Sequence, residues 1–324
     1  MNENKAKTGG ISNPNVVIGI SMGGLIARYA LRSMELYPNN YGYHDTWKYF
    51  SLDSPHKGAN LPLGLQGMIR DLQNFSVAIL GGLTIVDAAS VIPMMDQLYG
   101  VLDSKAARQM LIYYCNKNLK IDNNEYEAFQ KEYDRIGFPV QCQNIAVSCG
   151  SIRGATEFTP ATRLFSFSPS KDFNWYQSLG IGIASIFSTL VYTSVGDANA
   201  WEIFGMGLLN LVLGSSAIKT NFYINALPDK KAAKVYEGQV YYEKKILWVI
   251  PVRVDISNRN LSSTATMLPL DGAAGSFNSF ESIKSDNENF RKLLEQFKKS
   301  RFTFVPTSSS LAFSNLPLLF LLHT

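Results

Sequence analysis

Gly19, Ser21 and Gly23 form a G-x-S-x-G pattern within residues 13–37, NPNVVIGISMGGLIARYALRSMELY. A serine so placed can act as a nucleophile if its backbone bends sharply and leaves the hydroxyl exposed. The pattern needs a strand before it and a helix after it. Val16–Ile20 is an apolar run rich in β-branched residues, which reads as a strand buried on both faces. From Gly24 the spacing turns helical, with Leu25, Ile26, Tyr29, Ala30, Met34 and Tyr37 on one stripe. Gly19 and Gly23 read as positions where neighbouring backbone leaves no room for a Cβ. The helix would aim its positive dipole end at a reacting carbonyl, and the Met22 N–H would donate to the oxyanion. That chemistry is acyl transfer through a serine.

The composition narrows the alternatives. A chain of 324 residues has room for one large domain or two ordinary ones, and 46% hydrophobic residues exclude wholesale disorder. A net charge of +4, dispersed along the chain, argues against a nucleic-acid reader. Cys115, Cys142 and Cys149 are too few for a disulfide framework, and they lack metal-type spacing with the three histidines. Neither a metal nor an organic cofactor is required by serine acyl transfer. Residues 1–10 are polar and lack the apolar core of a signal peptide, which leaves the compartment open.

Residues 13–65 carry a family resemblance. GISMGGLIARYALRSME (19–35) resembles the nucleophile elbow of α/β-hydrolase lipases and esterases. YFSLDSPHKGANLPLG (49–64) resembles the strand and loop that follow in those enzymes. Together they look most like lipase-like hydrolases of Bacteroidetes-type bacteria. Weaker echoes are QNIAVSCGS (143–151), PLDGAAGS (269–276) and FTFVPTSSSL (302–311).

Around the elbow, Trp47–Leu52 reads as the next parallel strand, one helix away, and Gln143–Cys149 as a third. Residues 62–140 look helical and are far longer than an ordinary βα loop, as an inserted cap would be. Residues 220–227, 234–242 and 245–256 alternate as antiparallel strands, with Asp229-Lys230-Lys231 and Glu243-Lys244-Lys245 as their turns. Residues 280–299 read as a charged amphipathic helix and Arg301–Pro306 as a last strand. The two apolar runs in 178–214 are expected to pack as helices over the Ser21 side of the sheet. They would form a lid or acyl-binding wall with contact to a membrane interface.

The expected architecture is α/β: a partial α/β-hydrolase parallel sheet with large helical cap insertions and an antiparallel extension. Its core comprises 13–60, 141–151 and 219–311, and its cap or lid insertions are 61–140 and 152–218. Several strands precede the elbow strand in the resembled fold, whereas about fifteen residues precede Val16 here. On that comparison the chain resembles a fragment without those strands or the second oxyanion donor.

The resemblance implies the chain order serine, acid, histidine. Asp271, in a Gly-rich loop, fits the acid slot and equally fits an Asp-Gly turn. Asp53, at the end of the strand after the elbow, is the alternative acid; its other reading is a loop cap. His56 is implied to be a loop-holding residue, and His44 reads as solvated in a Tyr- and Asn-rich loop. His323 follows the last strand as the base should, yet it is the penultimate residue. The implied activity is cleavage of lipid-like carboxylic esters through an acyl-enzyme on Ser21. An acyltransferase would use the same nucleophile, and a non-catalytic lipid- or protein-binding domain would keep only the scaffold.

Overall fold

β1 (Asn15–Ile20), β2 (Thr46–Leu52) and β3 (Gln143–Val147) lie side by side in parallel, in that order. The computed structural model describes residues 13–73, 100–150, 155–168, 170–173, 214–279, 295–299 and 301–312. Parallel neighbours need crossovers, and helices supply them. α1 (Met22–Leu36) and the short α2 (Pro38–Tyr41) join β1 to β2. α3 (Leu63–Gln73), α4 (Lys105–Met110) and α5 (Asn124–Ile136) fall between β2 and β3.

The buried stripe of α1 differs from the expected one. Gly24, Leu25, Arg28 and Leu31 are buried, while Ile26 and Tyr29 are exposed. The reason is Arg28. Its Nε and Nη2 donate to the carbonyls of Gly137 and Tyr133, both at 2.9 Å. Its guanidinium also stacks on the rings of Tyr133 and Phe138 at 3.9 and 3.7 Å. A cation with carbonyl acceptors and aromatic faces can occupy a core position.

The strand preceding Ser21 is covered on one face only. Val16, Ile18 and Ile20 are 50%, 60% and 66% exposed, against the expectation of burial on both faces. Among the described residues β1 pairs only with β2, so it is also a sheet edge.

The antiparallel part is larger than expected. β4 (Arg163–Phe167), β6 (Gly214–Asn225), β7 (Lys234–Ile246) and β8 (Ile250–Ser262) form one sheet in that order, with β5 (Ser170–Phe173) also paired to β6. β4 and β5 thus place part of the expected 152–218 insertion in this sheet. α3 packs against it closely: a Cβ on Gly64 would collide with the Val235 carbonyl, and one on Gly67 would press on Tyr236. The shared core includes Leu63, Met68, Phe165, Phe222, Ile224 and Tyr236.

The turn assigned to Glu243-Lys244-Lys245 is instead strand. β7 runs through all three residues, and the connection to β8 is Leu247-Trp248-Val249. Leu247 and Trp248 are left-handed, with φ 49° and 63°. β9 (Gly275–Ser279) and β10 (Arg301–Pro306) form an antiparallel pair, and α6 (Thr307–Ser310) follows. The expected 280–299 helix lies outside the described residues up to 294; 295–299 form a turn with a bridge from Phe297 to Phe165. The apolar runs of 178–214 lie outside the described residues except for Gly214, which begins β6.

Candidate active site

Ser21 closes β1 and precedes the first residue of α1, with φ 50° and ψ −128°. A non-glycine residue with this backbone is strained, at roughly 1–3 kcal/mol. Two backbone bonds hold the bend. The Ser21 N–H donates to the Leu52 carbonyl at 2.9 Å, and the Ser21 carbonyl accepts from the Gly24 N–H at 3.0 Å. The side chain makes no capping hydrogen bond, and the residue is exposed. A serine at a helix N-cap ordinarily turns its hydroxyl onto the first turn; this one does not.

The steric reading of the glycines is half corrected. A Cβ on Gly19 would collide with the backbone of Gly24 and Gly23, as expected. A Cβ on Gly23 would meet open space, whereas one on Gly24 would collide with the Ser54 side chain. The close approach therefore lies one residue further along α1, where the helix crosses β2. Tyr49 on β2 reinforces it: its hydroxyl donates to the Gly24 carbonyl at 2.5 Å. The Met22 N–H lies in the first turn, where helical geometry offers no backbone acceptor, and is free to donate outward.

Asp53 and Asp271 occupy different surroundings. Asp53 directly follows β2, is half-buried, and has φ 47°. Its Oδ1 accepts from the Cys149 N–H at 3.3 Å. Asp271 is 1% exposed, and both of its oxygens are taken. Oδ1 accepts from the Asn60 side-chain amide at 3.0 Å and Oδ2 from the Leu227 N–H at 2.7 Å. Burial pushes its carboxyl above the usual range despite these donors. Asn60 also donates to the Thr303 carbonyl, so the Asn60–Asp271 pair ties the loop after β2 to β10 and to Leu227, just beyond β6.

Both described histidines are internal. His56 is 0% exposed, with Nε2 2.6 Å from the Ser51 hydroxyl and Nδ1 3.1 Å from the Tyr133 hydroxyl. Tyr133 donates to the Leu25 carbonyl, which leaves its oxygen to accept from Nδ1–H, and Ser51 then donates to Nε2. Burial, with Arg28 and Lys57 adding, pushes His56 down to about 4, so the ring is neutral at pH 7. His44 is not solvated: it is 2% exposed. Its Nδ1 accepts from the Thr46 N–H, so Nε2 carries the proton toward Glu35 Oε1 at 3.2 Å. Glu35 also receives the Val140 and Gln141 N–H groups, which explains why a polar loop folds inward. His323 lies outside the described residues.

One feature was not foreseen from sequence. A cavity of about 450 Å³ runs along α1 from Met22 past Ile26 to Ala30, walled opposite by Met110, Phe129 and Tyr133. It begins at the residue after Ser21. The exposure of Ile26 and Tyr29 follows from it, and their place on the helical stripe was the available signal. Among the described residues no group of His, Cys, Asp and Glu is arranged to hold a metal ion.

Comparison with protein-family models, with curated proteins and with solved structures finds no match to this chain.

Proposed function

We propose that this chain is a lipase- or esterase-like serine hydrolase acting on carboxylic esters. The supporting observation is Ser21 itself: left-handed at the junction of β1 and α1, with its hydroxyl uncommitted to the helix it begins. In this reading Ser21 Oγ attacks the ester carbonyl, and the Met22 N–H binds the oxyanion. The ester C–O bond breaks, the alcohol leaves with the serine proton, and water releases the acid from the acyl-enzyme. The apolar cavity along α1 would hold the acyl chain.

Of the two acids, Asp53 is the better supported. It terminates the strand adjacent to the nucleophile's own, whereas both Asp271 oxygens serve internal donors. His323 remains the proposed base by chain order. Acyl transfer to an acceptor other than water would use the same groups.

A second reading, a non-catalytic lipid- or protein-binding domain on this scaffold, has its own support. Among the described residues both imidazoles are committed away from Ser21. A fluorophosphonate probe separates the two. Labelling of the folded chain that disappears in Ser21→Ala supports an activated nucleophile; a folded chain that stays unlabelled overturns the hydrolase reading.

A further inference from the structure

The β7–β8 connection and the first residue of β8 place four large apolar side chains in solvent. Leu247, Trp248, Val249 and Ile250 are 58%, 58%, 79% and 58% exposed. Hairpin connections normally put glycine, asparagine or aspartate at left-handed positions, since a Cβ is disfavoured there. Here the two successive left-handed residues are leucine and tryptophan. A turn required only to reverse the chain has no use for them, and their apolar surface is turned outward.

The charges behind the tip have one sign. The three rungs nearest it pair Ile246 with Ile250, Lys245 with Pro251 and Lys244 with Val252. They carry no carboxylate, and of their two lysines Lys244 is buried and Lys245 reaches solvent; the first acid, Glu243, comes one rung later and is paired with Lys219 at 2.7 Å. Lys245 is exposed and takes part in no ion pair among the described residues. On β6 the facing residues are Gly214, Ser215 and Ser216, all uncharged.

A second observation concerns the same end of the sheet. β5 ends at Phe173, paired with Ser216, and β6 begins at Gly214, paired with Ile246. The chain thus leaves and re-enters the sheet beside this tip. The sequence between these two points includes its most apolar stretch, 178–213.

We infer that the β7–β8 tip is an anchor for an anionic lipid surface, entered by Leu247, Trp248 and Val249 with Lys245 at headgroup level. Tryptophan suits the boundary between headgroups and acyl chains, and a lysine can extend along apolar surface to a phosphate. Anionic headgroups complement the exposed Lys245, and no acid lies on the three rungs nearest the tip. The anchor does not depend on Ser21 and would hold whether or not the chain hydrolyses esters.

The test is flotation of the full chain with phosphatidylcholine vesicles, with and without phosphatidylglycerol, in a Ser21→Ala background so that ester cleavage plays no part. The unmodified tip is expected to float with the anionic vesicles. Leu247→Asn/Trp248→Gly, which suits the left-handed turn, should lower the partition coefficient at least tenfold without lowering the melting temperature. Lys245→Glu, at an exposed position, should weaken binding to the anionic vesicles about fivefold or more and leave neutral vesicles unaffected. Three results would overturn the inference: no flotation of the unmodified chain, flotation of the double variant at the original level, or a tip variant that alters only self-association.

Discussion

Ser21 and Asp53 stand side by side as the first residues beyond two paired parallel strands. Ile20 is in register with Leu52, and the Ser21 N–H bonds the carbonyl of Leu52, the residue before Asp53. Both are left-handed, at φ 50° and 47°. Two adjacent strands therefore end in matching bends at the carboxyl edge of the sheet, the edge at which open α/β sheets usually carry their ligands.

If Asp53 orients the base, Asp53→Asn should lower kcat/KM on an ester substrate by about 10²–10⁴ and leave the unfolding midpoint nearly unchanged. Asp271→Ala should do the reverse. It orphans the buried Leu227 N–H and one of the two Asn60 amide N–H groups, at about 1–3 kcal/mol each, visible in urea unfolding. Equal losses of activity at equal stability would reject this division of roles.

The two helical glycines should behave in opposite ways. Gly24→Ala forces a methyl into Ser54 and is expected to cost about 1–3 kcal/mol. Gly23→Ala meets no neighbour and should be neutral or stabilising by up to about 1 kcal/mol, because alanine favours the helix. Paired urea melts of the two variants check the difference.

His56 should make the fold acid-sensitive. Its imidazole is held near 4 when folded and titrates near 6.5 when unfolded, so the unfolded chain binds the extra proton between those values. The contribution is fully present above about pH 6.5 and is lost as pH falls toward 4. Its size is on the order of 3 kcal/mol. Denaturant midpoints from pH 7 to 4 should show this slope, and His56→Gln should flatten it.

Filling the cavity should change chain-length preference. Ala30→Trp places a large ring where the cavity runs along α1, at an exposed helix position. The kcat/KM for a dodecanoate ester should fall about tenfold or more, while that for a butyrate ester stays within about twofold. Equal losses on both esters would mean the acyl chain lies elsewhere.

The strand–turn–helix at Ser21, the parallel partners β2 and β3, and the strand character of β6, β7, β8 and β10 were all legible in sequence, because each is written in local periodicity. The misreadings share another cause. Arg28 and His44 are polar residues whose burial depends on acceptors more than a hundred positions away for Arg28, and on a carboxylate itself held by distant N–H groups for His44. Nothing in the local pattern around either residue announces those partners. Glu243-Lys244-Lys245 was misplaced for the converse reason: three charged residues look like a turn, but Lys244 is buried within β7. The real turn is apolar and lacks the glycine or asparagine that marks a tight reversal. Gly23 was singled out by its place in the motif, whereas the crowding at Gly24 comes from Ser54 on another element.

The loop after β2 is fastened from far along the chain. Ser309 accepts from the Lys57 N–H at 3.0 Å and donates to the Gly58 carbonyl at 2.6 Å, and the second bond spans 251 positions. On the ribosome, then, the loop after β2 is made long before Ser309, which holds two of its backbone groups. At about 5–20 residues per second, the interval is roughly 10–50 s. During it the bent ends of β1 and β2, and the bonds from Tyr126 and Met110 to the loop, can form while the Ser309 clamp is still missing. A nascent chain halted before α6 should therefore be cut by protease at Lys57, and the released chain should not.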